Sequence, residues 1–101
     1  MNKLPKRPHS DDMYKAILTL KDVDECIKFF SDLCTVSELM AMEQRYQVAV
    51  CLSKGMIYND ILAETGASSA TISRVNRSLQ YGEGGYDIAF SRVEKDEDGG
   101  E

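Results

Sequence analysis

Apolar residues recur at spacings of three and four along most of the chain, separated by short polar punctuation, and this pattern predicts helices. Ser10 followed by Asp11 and Asp12 supplies a capping side chain and first-turn acids. Met13, Ile17 and Leu20 then share a face, with Tyr14 and Leu18 beside it, giving a first helix over about residues 11–20. Asp22 opens a second, with Glu25 at the capping-box position. Its stripe of Val23, Cys26, Ile27, Phe30, Leu33 and Cys34, widened by Phe29, is broad enough to meet more than one neighbour.

Thr35 and Glu38 form the clearest capping box in the chain. No glycine or proline follows before Lys54-Gly55, so a third helix of about five turns is expected. Leu39, Met42, Tyr46, Ala49 and Leu52 make one face of it, with Val48, Val50 and Cys51 spreading round. Residues 57–65 read as a short fourth helix with Ile57 and Ile61 inward, and Gly66 as the positive-φ residue of a chain reversal. Ser68 caps a fifth helix to about Tyr81, with Ile72, Val75 and Leu79 buried and Ser69, Ala70, Ser73, Arg74 and Arg77 outward. Residues 86–93 fit both strand alternation and helical spacing; the helical context favours a short helix. Residues 1–9 read as a mobile arm, 10–93 as one helical domain with its helix-turn-helix at about 57–80, and 94–101 as a disordered acidic tail.

Charge changes this picture once it is divided by region. The net charge of −5 over 101 residues seems to oppose nucleic acid. Yet residues 1–35 and 36–81 are each balanced, and the whole excess lies in residues 82–101, with seven acids against two bases. No acid falls between Glu64 and Glu83, a window that holds Arg74 and Arg77. Local charge, not the total, governs contact with phosphate. The apolar fraction of 43% belongs to a globular chain, and one of this size often completes its core by dimerising. Cys26, Cys34 and Cys51 lie in apolar helical patterns without ligand-like spacing and read as buried reduced thiols. No apolar run suits a membrane span or a secretion signal, so a cytoplasmic, nucleoid-associated protein is expected. The lone histidine, His9, lies in the arm, and no nucleophile–base or metal-ligand cluster is visible, which argues against an enzyme.

A helix entering the major groove needs small residues at its start, so that its backbone can approach the base edges. Ser68, Ser69, Ala70 and Thr71 meet that need. Their hydroxyls can bond phosphates or bases, a methyl of Ala70 or Thr71 can meet a thymine methyl, and the helix N-terminus favours a phosphate. Arg74 and Arg77, one and two turns on, suit phosphate or guanine. The bland alternative is a solvated, capped surface helix.

With those residues in place, the chain resembles the Trp repressor superfamily over residues 35–80, and its short branch (the YerC/YecD type) as a whole. The resemblance rests on Thr35 and Glu38, Arg45, Lys54-Gly55, Gly66-Ala67, Ala70-Thr71-Ile72-Ser73-Arg74, Ser78-Leu79 and the segment Tyr81-Gly82-Glu83-Gly84-Gly85-Tyr86-Asp87. It implies an all-α, intertwined homodimer that presents its fifth helices to successive major grooves of double-stranded DNA on a palindromic site. It further implies that Tyr58, Asn59, Ser69, Ala70, Thr71 and Ser73 meet the DNA.

The resemblance also implies an L-tryptophan corepressor pocket at Thr35, Arg45, Arg74, Val75 and Ser78. Both arginines fit a carboxylate clamp or a stacked planar group. Val75 departs from the glycine of the repressor and would project into the space of the indole, and Asp32 and Cys34 replace apolar leucines. Plainer roles are an ion pair of Arg45 with Glu38 or Glu43 and a phosphate contact for Arg74. Leu62 stands where readers of this pattern usually carry alanine, and either widens the helix crossing or points toward the groove. The expected function is a sequence-specific transcriptional regulator, a repressor. The rivals are a DNA-binding module of another process such as replication, and an interaction protein that has lost DNA binding.

Overall fold

The computed structural model describes residues 8–99, so most of the expected arm at 1–9 and the last two residues of the expected tail lie outside the described residues. Six α-helices follow one another: α1 (Asp12–Ile17), α2 (Val23–Leu33), α3 (Val36–Ser53), α4 (Tyr58–Thr65), α5 (Ser69–Tyr81) and α6 (Gly85–Gly99). All regular structure among the described residues is helical, as the patterning predicts.

The chain divides into two compact units, with the boundary between Leu39 and Met40 inside α3. In the first unit, local side-chain bonds mark the helix starts, with a true cap at α2. The Ser10 hydroxyl accepts from the Asp12 N–H, and α1 ends earlier than expected, in a turn where the Thr19 hydroxyl bonds back to the Ala16 carbonyl. Asp22 Oδ1 accepts from the Glu25 N–H at 2.8 Å. Glu25 reaches one residue further back than a capping box requires, taking the Lys21 N–H at 2.9 Å. Neither α1 nor α2 buries a residue. Val23 is 74% exposed, and Ile27 and Leu33 are more than half exposed, on the stripe the sequence marks as apolar.

The second unit holds the core. Val48, Ala49 and Cys51 from α3, Ile61 from α4, Ala67 from the turn, and Ile72 and Val75 from α5 are all buried. Leu52, Met56, Leu79, Tyr86 and Phe90 pack against them. The expected α3 face shifts by part of a turn: Ala49 is central, but Met42 and Tyr46 are more than a third exposed. Tyr46 instead packs on α6, its ring 5.7 Å from that of Phe90 and 6.5 Å from that of Tyr86.

Several expectations need correcting. Ile57 is the residue before α4 and is 63% exposed, so only Ile61 points inward from that segment. Cys51 is buried, but Cys26 and Cys34 are half-buried free thiols. The ambiguous stretch 86–93 is helical, and α6 runs on to Gly99 through residues expected to be disordered. Two causes account for this. Tyr86 and Phe90 anchor its first turns to the core, and Val93, Glu94 and Lys95 are adequate helix formers that propagate a turn already nucleated.

Candidate nucleic-acid interface

The reading head is α4, a turn and α5. Gly66 caps α4 in the left-handed region at φ 74°, and its N–H bonds to the Leu62 carbonyl at 2.9 Å. A side chain at that φ would be strained, which is why glycine stands there. Ala67 follows and is 1% exposed, inserted in the core against which α4 and α5 pack. The small residue that lets the two helices meet closely is thus Ala67. Leu62 is 46% exposed and is not among the residues packed on the core.

Ser68 caps α5. Its Oγ accepts from the Thr71 N–H at 3.1 Å and lies 3.2 Å from Thr71 Oγ1. Both hydroxyls are therefore engaged in the cap. The first-turn N–H groups of Ser69 and Ala70 have no intrahelical acceptor and are the donors this terminus offers to an anion. Ser69, Ala70, Ser73, Arg74 and Arg77 are exposed, Thr71 is half-buried, and Ile72 and Val75 are fully inward. The predicted division of α5 into an apolar inner stripe and a small, polar, basic outer face is what the helix shows. On α4, Tyr58 is 38% exposed, and exposed Leu62 lies four residues after it and three after exposed Asn59, so it neighbours both on the helix surface.

The positions expected to form a tryptophan pocket do not make a clamp within the second unit. Arg45 and Arg74 are exposed and have no salt bridge to another described residue, so the expected pairs of Arg45 with Glu38 or Glu43 are not formed. Val75 is 2% exposed and fills core space with its methyl groups. An open cleft of about 530 Å³ is lined by Tyr46, Ser78, Gly82, Tyr86 and Ala89 among others, and of the expected positions it includes Ser78 alone. In the first unit, Thr35 is committed to the cap of α3.

The patterning of the sequence missed Gln44 and Thr65. Gln44 Nε2 donates to the Thr65 carbonyl at 3.2 Å, between residues 21 apart in the chain. A threonine just before the Gly66 turn is a readable hint, since its hydroxyl can bond locally; a lone glutamine on a long helix is not.

Residues 9–94 match the family described as Trp repressor protein. The chain belongs to the Trp repressor family. That family is a DNA-binding regulator family, and its architecture is the all-helical one described above. The chain is 49% identical over 87 residues to the uncharacterized protein YerC of Bacillus subtilis (strain 168), covering 86% of this chain and 84% of YerC. Among solved structures it is similar to a TrpR-like protein from Eubacterium eligens ATCC 27750, with a TM-score of 0.79 and 52% identity. That match covers 82% of this chain and 86% of the other. A candidate Trp repressor from Staphylococcus aureus is similar at a TM-score of 0.80 and 49% identity, covering 83% and 84%. Among the described residues no helix is long and apolar enough to cross a membrane, and no cluster of three or more His, Cys, Asp or Glu side chains could hold a metal.

Proposed function

We propose that this Trp repressor family protein is a sequence-specific transcriptional regulator, a repressor, that binds a palindromic operator in double-stranded DNA as a homodimer. The observation that carries the reading is the outer face of α5. A Ser68-capped N-terminus with two first-turn N–H groups free of intrahelical acceptors is followed by exposed Ser69, Ala70, Ser73, Arg74 and Arg77, inside a window without acids. Those N–H groups suit a phosphate, the small side chains let the backbone approach base edges, and the arginines supply charge along the groove. Tyr58 and Asn59 at the start of α4 extend the contact, and Ser68 and Thr71 contribute through the cap that fixes the helix end.

The homodimer is supported by the first unit. A helix patterned with an apolar stripe yet burying no residue lacks its partner surface, and α1 and α2 both lack it. A second copy supplies such a surface symmetrically. Two-fold symmetry would then set two α5 helices about one DNA turn apart. L-tryptophan is not supported as corepressor: Val75 is buried in the core, and the expected positions form no clamp within the second unit. The rival readings, a module of another DNA process and an interaction protein without DNA binding, are separated by a salt series on duplex fragments. A dimer that touches several phosphates loses affinity steeply as salt rises. Flat, negligible binding to genomic fragments would rule out every DNA-binding reading at once.

A further inference from the structure

We propose that Gln44 and Thr65 are positioning residues for the recognition helix, fixing the angle at which α5 leaves the turn after α4; the proposal rests on α5 being the DNA reader. Thr65 is the last residue of α4, so its carbonyl is one of those a helix end leaves without a donor. Gln44 on α3 supplies that donor at 3.2 Å in a part-buried setting. A carbonyl only accepts, so the amide has one orientation here. The Thr65 hydroxyl works in both directions: it donates to the Ile61 carbonyl at 2.8 Å and accepts the Ala67 N–H at 3.1 Å. Ala67 is locked in the core, and the next residue, Ser68, caps α5. A chain of directional bonds thus runs from the long helix to the residue preceding the cap.

At the turn itself Gly66 has no heavy atom within 4 Å of where a Cβ would sit, so its own contribution is the N–H bond to the Leu62 carbonyl, beside the packing of Ala67. The anchors of α5 further along, Ile72 and Val75, are apolar and hold it by packing, to which the bonds at the turn add direction. The 13 residues of α5 span about 20 Å, so a tilt of roughly 10° at the turn moves the far end by roughly 3 Å, enough to break base contacts.

The test uses the full chain with two duplexes: one selected from a random pool by the wild-type protein, and a shuffled duplex of equal length and composition. Gln44→Leu and Thr65→Val are expected to lose roughly fivefold of the preference between them with an unchanged salt slope, while Thr65→Ser keeps it. A purely structural defect would lower the active fraction equally for both duplexes and leave the ratio alone. Residual dipolar couplings of the α5 amides against those of α3, measured without DNA, are expected to change in the first two variants and not in Thr65→Ser. Unchanged couplings overturn the proposal whatever the DNA shows, and changed couplings with an unaltered preference overturn it too. If the wild-type protein selects no sequence, it is the DNA reading that fails, and the couplings alone then uphold or overturn the positioning role.

Discussion

Thr35 and Glu38 satisfy each other at the start of α3: the Thr35 N–H donates to Glu38 Oε1 at 2.8 Å, and the Glu38 N–H donates to Thr35 Oγ1 at 3.1 Å. The reciprocity gives Thr35 a structural occupation of its own, independent of any ligand. Thr35→Ala is expected to destabilise the protein by about 1 kcal/mol in urea unfolding, and Thr35→Ser to retain most of that stability. An alanine variant as stable as wild type would deny the cap its role.

Arg74 is exposed on the outer face of α5 and carries no ion pair with another described residue. Its full charge is therefore available to a phosphate. Arg74→Ala is expected to weaken DNA binding by about tenfold or more and to make the salt dependence shallower by about one ion. Sedimentation should show the oligomeric state unaltered, because the residue lies on the exposed face of α5 and not in the core. Wild-type affinity in the variant would refute the assignment.

Val75 supplies a prediction about small molecules. Buried in the core, it offers no open face to a ligand, so L-tryptophan at millimolar concentration is expected to give no saturable heat in calorimetry. Val75→Gly should cost roughly 2–4 kcal/mol, from lost burial and from added backbone freedom within a helix. Saturable heat with the wild-type protein would restore tryptophan as an effector.

The uncovered stripe of α2 predicts concentration-dependent stability. If a second copy covers it, the melting temperature rises with protein concentration. Ile27→Asp, placed where the side chain is 56% exposed in one chain, should shift sedimentation toward the monomer and remove that dependence. A monomeric wild-type protein with a concentration-independent melting temperature would exclude the homodimer.

What could be read from the residues alone followed from local rules. The caps at Asp22, Thr35 and Ser68, the stop at Gly66 and the inner stripe of α5 all depend on neighbours within four positions, and the structure carries each of them. Errors arose at a helix boundary and where the deciding partner lies far along the chain. Ile57 has an apolar side chain at a helical spacing, but it sits before the first turn of α4, where the backbone is extended and the spacing no longer applies. Residues 94–99 look disordered by composition, yet Tyr86 and Phe90 hold the start of their helix against Tyr46, forty residues earlier. The bond from Gln44 to Thr65 has no periodic signature at all. Two polar side chains 21 residues apart become partners only once α3 and α4 are packed.

The absence of any buried residue in α1 and α2 bears on how the chain is made as well as how it assembles. These helices leave the ribosome before the segment that contains the core, and Met13, Val23, Ile27 and Leu33 stay exposed in the finished chain. The newborn protein therefore carries sticky surface, and if a second copy is its cover, that surface stays open until the two meet. Two copies translated close together on one message would shorten that wait, and a scarce message would lengthen it.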